Sequence, residues 1–247
     1  MSFKDHFSTR SGDYAAYRPT YPHALVDYLA GLCPQTDLAL DAGCGTGQLS
    51  VLLADRFERV IATDASAPQI EKAQAHDRVE YRVAKAERSG LAAASADLIT
   101  AGQAAHWFDL DAFYAEVRRV GKSGAVLALI TYGVIEADAD IDPLVRHFYK
   151  NVVGPYWPPE RRHVEEGYRS FAFPFAEWTA PPLAIEVRWR GSDLLGYVET
   201  WSAVRGLETA QGRQPVEEFG RELLALWGEP ERRRLIRFPL SLRVGRL

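Results

Sequence analysis

The run Leu38-Ala39-Leu40-Asp41-Ala42-Gly43-Cys44-Gly45-Thr46-Gly47-Gln48-Leu49 constrains this chain more than any other segment, because it reads as a buried strand ending in a glycine-rich turn that opens a helix. Glycines at 43, 45 and 47 remove every Cβ from the inside of the turn. The backbone can then bend through conformations closed to other residues and touch a ligand directly. The spacing is G-x-G-x-G with Gln48 following, so it lacks the last glycine of the G-x-G-x-x-G fingerprint, which permits close helix-strand packing around a dinucleotide. The pattern therefore points away from NAD, and on its own it also fits a plain tight connection.

A second strand, Val60-Ile61-Ala62-Thr63, ends in Asp64, which places a carboxylate where the ribose diol lies in a βαβ unit. A helix N-terminus behind such a turn offers free N–H groups to a pyrophosphate. S-adenosylmethionine has no phosphate, and its carboxylate and sulfonium would use the same turn, with Asp41 nearby to favour positive charge. Asp41, Gly43, Gly45, Gly47, Gln48, Asp64 and Ala65 then form the cofactor-binding set.

Strand and helix patterns alternate from Leu38 to Ile130, the sign of a parallel sheet with helices on both faces. Residues 1–33 read as a polar arm and a helix, with Pro22 in its first turn and Ala24, Leu25, Tyr28, Leu29 and Leu32 on one stripe. Residues 34–131 form the cofactor-binding core, in which Leu110 to Val120 is a helix stopped by a left-handed Gly121. Residues 132–182, rich in proline and aromatics, read as a lid inserted over the strand ends. Residues 183–247 complete the sheet, with a strand over 183–190, a helix capped by Ser192-Asp193 and running to Val204, a helix over 215–227 and a last strand over 235–244. The expected fold is one α/β domain, a doubly wound Rossmann-like sheet of seven strands, mostly parallel with an antiparallel last strand.

With those residues in place, the chain resembles the class I S-adenosylmethionine-dependent methyltransferases, whose first motif is acidic-x-G-x-G-x-G; Asp41 to Gly47 matches it residue for residue. The arm Tyr14-Ala15-Ala16-Tyr17-Arg18-Pro19-Thr20-Tyr21-Pro22 looks like the N-terminal lid of the trans-aconitate methyltransferase-like, small-molecule subgroup. Gln103-Ala104-Ala105-His106-Trp107-Phe108 after the fourth strand and the segments Trp201 to Val204, Phe238 to Leu240 and Val244 to Arg246 also match that subgroup. The resemblance implies that Asp64 binds the ribose, that Ala86 and Glu87 lie beside the adenine, and that Gln103 backs the methionine portion. It also favours a carboxylic acid as methyl acceptor and S-adenosylhomocysteine as product. Tyr14 and Arg18 would close over the cofactor, Arg18 also suiting an acidic substrate; equally, the arm's aromatic rings would staple it to the core.

Methyl transfer from a sulfonium is an in-line displacement in which positioning supplies much of the catalysis. A carboxylate nucleophile needs no base, whereas an alcohol or amine gains from one poised near neutrality, which favours histidine. His106, a few residues past the fourth strand, is the candidate; the competing role is packing beside Trp107. Tyr21, Trp107, Tyr132, Trp157 and Trp201 are candidates for lining an acceptor pocket, and core packing is the simpler role for each. No histidine pair has metal-ligand spacing with a second cluster, so no metal is expected. A cofactor-binding protein without turnover would carry the same motifs, and a nicotinamide-dependent oxidoreductase would need the turn to take a pyrophosphate.

Net charge is −4, and the basic runs Arg161-Arg162-His163 and Arg232-Arg233-Arg234 each follow a glutamate, which reads as solvated surface rather than a nucleic-acid face. Two cysteines cannot build a disulfide framework, no stretch reaches the ~18 apolar residues of a membrane span, and the N-terminus has no apolar leader. A cytoplasmic protein, monomer or homodimer, acting on a small molecule is expected.

Overall fold

The computed structural model describes residues 19–247, so Tyr14 and Arg18 lie outside the described residues. Two compact units are present: Thr20–Gly133 with Arg162–Ala184 and Leu240–Leu247, and a second that includes Val134–Arg161 and Ile185–Pro239. The segment expected as an insertion, 132–182, is thus divided between them.

In the first unit the short apolar runs become strands β1 (Leu38–Ala42), β2 (Arg59–Asp64), β3 (Val79–Val83), β4 (Ala96–Gly102), β5 (Gly121–Tyr132) and β6 (Ala176–Trp178). The C-terminal part of β8 (Arg234–Arg246) joins them, and the order across the sheet is β3-β2-β1-β4-β5-β8-β6. The pairs β1/β2, β1/β4, β2/β3 and β4/β5 are parallel, while β8 runs antiparallel to β5 and β6. Seven strands follow this path and β8 is antiparallel, as the sequence leads one to expect. However, β6 falls in the segment read as a lid, and the strand expected over 183–190 is β7 (Ala184–Trp189), which pairs with β8 off the path as an eighth strand. Residues 125–132 of β5 are buried without interruption, as a strand covered on both faces must be. The strand order reverses between β1 and β4, and open α/β sheets bind ligands at the carboxyl ends flanking such a switch.

A buried carboxylate holds the opposite end of this sheet. Asp97 accepts from the Asp37 and Leu38 N–H groups at 3.0 Å each and lies 2.9 Å from the Lys122 ammonium. The helix before β1 covers His23–Leu32, with Pro22 at its N-cap rather than in the first turn. Its buried residues are Leu25, Val26 and Leu29; Val26 is inward and Ala24 exposed, a rotation of the expected stripe.

Gly121 is not a left-handed cap. It has φ −68° and ψ 138°, pairs with Ala96, and begins β5; the left-handed glycine is Gly124, at φ 79°. Packing explains glycine at 121, because a Cβ there would run into the Leu247 side chain.

The second unit holds β7 (Ala184–Trp189), which pairs with β8, and helices Asp142–His147, Gly191–Glu199, Ser202–Gln211 and Gln214–Trp227. The helix expected to run from a Ser192-Asp193 cap to Val204 is instead two helices. Arg190 is the N-cap of the first, and the Asp193 carboxylate accepts the Arg190 N–H at 2.9 Å. The break falls at Trp201, extended at φ −63° and ψ 135°. Its buried indole lies among Tyr149, Trp157 and Tyr197, with ring centroids 5.4, 5.7 and 5.9 Å away. Burying that large ring outweighs one further helical turn.

Candidate active site

The glycine turn closes β1 onto β2: the Gly43 and Cys44 N–H groups both donate to the Thr63 carbonyl, at 2.7 and 3.0 Å. Glycines 43, 45 and 47 all have positive φ, at 69°, 56° and 85°. A Cβ on Gly43 would come within 2.5 Å of the Ala104 Cβ, and one on Gly47 would overlap the Tyr81 phenol. A Cβ on Gly45 would have open surroundings among the described residues, with nothing beyond its chain neighbours nearer than the Gln69 Oε1 at 4.0 Å. The three glycines therefore do different work. Gly43 and Gly47 let the turn pack, and Gly45 leaves its outer face clear.

Asp64, at the end of β2, faces that turn. One carboxylate oxygen accepts the Gly45 N–H at 2.9 Å and the other the Ser66 N–H at 2.8 Å. Each oxygen keeps a further lone pair for a hydroxyl. Beside it, the Ser66 and Thr63 hydroxyls are buried without a hydrogen-bond partner among the described residues. An open-faced glycine, a half-exposed carboxylate and an unsatisfied buried hydroxyl fit a polar, diol-bearing ligand such as a nucleoside. Ala65 is exposed and Gln48, first in its helix, half-buried.

Past β3, Ala86 is buried in the core. The Glu87 carboxylate accepts the Asp109 N–H at 2.9 Å, which ties this exit to the start of the helix Leu110–Val120.

At the β4 exit, Gln103 adopts φ 54° and is fixed at both ends of its amide, donating to the Tyr132 carbonyl and accepting from the Thr131 hydroxyl, each at 2.8 Å. His106 and Trp107 lie on the short helical turn Ala105–Trp107. The His106 Nδ1 is 2.9 Å from the Tyr168 hydroxyl, and its ring lies 4.8 Å from that of Trp107. A cavity bounded by His106, Phe108, Asp109, Asp111, Tyr114 and Phe171 adjoins it. Tyr21 and Tyr132 are buried and meet edge to face at 6.4 Å. Trp107 is the exposed one of the set. Tyr168 gives no periodic or motif signal in the sequence, 62 residues from His106; the only hint is the glycine before it.

Trp157 and Trp201 sit in the second unit, where they form an aromatic cluster with Tyr149; the Arg161 guanidinium lies 4.7 Å over the Trp157 ring. Among the described residues no group of histidines, cysteines and carboxylates is placed to hold a metal.

Asp41 is fully buried behind the turn, accepting from the Ser50 hydroxyl at 2.6 Å and the Thr100 hydroxyl at 2.8 Å. Burial pushes its carboxyl up to about 6, against the pull of those two donors. Because the folded value lies above the unfolded one, the protonated form stabilises the fold below about pH 4, and that stability is lost as pH rises through about 6. Asp41→Asn, which cannot ionise, is expected to gain on wild type by about 2 kcal/mol between pH 4 and pH 7, measured as the difference in urea unfolding free energy. A difference independent of pH would show that Asp41 does not titrate in this range.

The description "Methyltransferase domain" matches residues 40–129, the stretch holding β1 to β5. A methyltransferase of Dictyostelium discoideum is 34% identical over 226 residues, covering 90% of this chain and 86% of that protein. A solved structure described as a type II methyltransferase, from Anaeromyxobacter dehalogenans, shares 49% identity at a TM-score of 0.90 and covers 93% of this chain and 98% of that one. A malonyl-[acyl-carrier protein] O-methyltransferase of Methylovorus is 37% identical over 118 residues, 42% of this chain and 39% of its own length. A strand order reversing at β1 and β4, a turn matching the acidic-x-G-x-G-x-G motif, and relatives aligned over nearly the whole chain lead to one conclusion: the chain belongs to the class I S-adenosylmethionine-dependent methyltransferases.

Proposed function

We propose that the enzyme transfers a methyl group from S-adenosylmethionine to an oxygen of a small carboxylic acid, in the cytoplasm, releasing S-adenosylhomocysteine. The observation that carries the cofactor assignment is Asp64, whose carboxylate stands at the end of β2 against the open face of Gly45. Asp64 would take the ribose hydroxyls, Ala86 and Glu87 would flank the adenine, and the turn at 43–47 would receive the methionine end, with Gln103 behind it. Bound there, the cofactor supplies an activated methyl on a sulfonium.

The protein's own contribution is to hold an acceptor oxygen in line and keep water out. His106 is placed for the first task at the β4 exit, as a donor from its protonated ring to the acceptor carboxylate. The malonyl-[acyl-carrier protein] O-methyltransferase supports an acyl acceptor, and the trans-aconitate-like segments of the sequence point the same way. A second reading rests on Asp109 and Asp111 lining the cavity beside His106, since carboxylates there disfavour an anionic acceptor. In that case a hydroxyl is methylated, with neutral His106 as its base.

Transfer of a labelled methyl group to a panel of small acids, alcohols and amines, followed by mild base, tests both. Base-labile label on an acid supports the carboxyl acceptor, and base-stable label on an alcohol supports the hydroxyl. His106→Ala is expected to lower transfer by about 100-fold while leaving S-adenosylhomocysteine affinity within twofold. Equal loss of both would make His106 a structural residue.

A further inference from the structure

We propose that Tyr168 is the positioning residue for His106, accepting its Nδ1–H so that the ring is held as an imidazolium and its Nε2–H is presented to the acceptor. The inference rests on the reading of His106 as the acceptor-binding group.

Tyr168 is completely buried, and its backbone is left-handed at φ 61°, directly after Gly167 at the same angle. A bulky side chain rarely occupies that region, and such a conformation persists only where the surroundings over-determine it. Here they do. The Arg243 guanidinium donates to the Tyr168 and Phe171 carbonyls, at 3.1 and 2.7 Å, and is itself gripped by both oxygens of Glu177, at 2.8 and 2.7 Å. The Glu177 carboxyl is held below its ordinary range by that guanidinium, so the clamp stays charged. The Tyr168 ring stacks on Phe171 at 4.9 Å with an interplanar angle of 12°. Every one of these restraints fixes where the phenol oxygen stands, and it stands 2.9 Å from His106 Nδ1.

A hydrogen bond from a charged donor is stronger than one from a neutral donor. With Tyr168 Oη as acceptor of the Nδ1–H, the pair therefore favours the imidazolium, the form with a second proton on Nε2. Asp109 and Asp111 at the start of the helix Leu110–Val120, Tyr114 on that helix, and His163 on the segment leading to Tyr168 face the same cavity. Of these, His163 is engaged with the Ser170 hydroxyl at 3.0 Å.

The test is an NMR titration of ¹⁵N-labelled histidine in the ligand-free protein, wild type against Tyr168→Phe, with transfer rates over the same pH range. Tyr168→Phe keeps the ring and its stacking, and a thermal midpoint near the wild-type value will show that it folds. The variant is expected to lower the proton affinity of His106 by roughly tenfold, moving its midpoint down by about one pH unit. The alkaline fall in transfer should move with it, KM for the acceptor should rise, and S-adenosylhomocysteine affinity should stay within twofold. An unchanged or raised midpoint overturns the proposal, because Tyr168 would then be inert or would be donating to a neutral ring. His106→Gln separates this from the underlying reading. If that variant transfers methyl as wild type does, His106 does not engage the acceptor; if it fails while Tyr168→Phe matches wild type, only the positioning role is lost.

Discussion

Replacing Asp64 by alanine is expected to weaken S-adenosylmethionine binding by about 1–3 kcal/mol, the range for losing hydrogen bonds to a charged group, with titration calorimetry as the measurement. The effect has two sources. In the proposed binding mode the ribose hydroxyls would lose their acceptor, and the Gly45 N–H loses the carboxylate that holds the turn against β2. Asp64→Asn separates them, since its remaining carbonyl oxygen can satisfy Gly45 or a hydroxyl but not both. An affinity unchanged in Asp64→Ala would overturn the ribose assignment.

The glycine turn supplies the second large effect, and it should split by position. Gly47→Ala forces a side chain into a left-handed conformation, worth about 1–2 kcal/mol, and drives its Cβ into the Tyr81 phenol, which is donating to the Gln74 carbonyl at 2.7 Å. A total loss of about 2–4 kcal/mol of folding free energy is expected from urea denaturation of the ligand-free protein. Gly45→Ala carries the conformational penalty alone, so stability should fall by only about 1 kcal/mol. Its Cβ projects into open space before the turn, and there S-adenosylhomocysteine affinity should drop by at least about tenfold. Matching losses of stability in the two variants would mean that the face at Gly45 is not open, and an affinity unchanged in Gly45→Ala would mean that it is not a binding surface.

Much of this arrangement is legible in the sequence because strand exits announce themselves. Each parallel strand is a short apolar run, and the residues after it (Gly43, Asp64, Ala86, Gln103) fall at one edge of the sheet by topology alone. Features set by packing at a distance are not legible in this way. Gly121 has the spacing of a helix stop, yet contact with Leu247 and pairing with Ala96 make it the start of β5. The helix expected to reach Val204 breaks because the Trp201 indole is worth more buried than a continued turn, a choice made by Tyr149, Trp157 and Tyr197. Tyr168 is hidden for the same reason, since its relation to His106 depends on Arg243 and Glu177, both far along the chain. The sequence shows Asp41 as an acid at the end of β1, but its burial, and the Ser50 and Thr100 hydroxyls that donate to it there, come only with the fold.

Gln103 carries a thermodynamic consequence. Its left-handed backbone, its N–H on the Ile130 carbonyl and both ends of its amide are already committed to β5 without any ligand. In the proposed binding mode, Gln103 would thus give the methionine end a wall that is held in place beforehand, and little chain entropy would be surrendered there on association. A ligand meeting that wall loses chiefly its own freedom, so more of each contact survives as affinity.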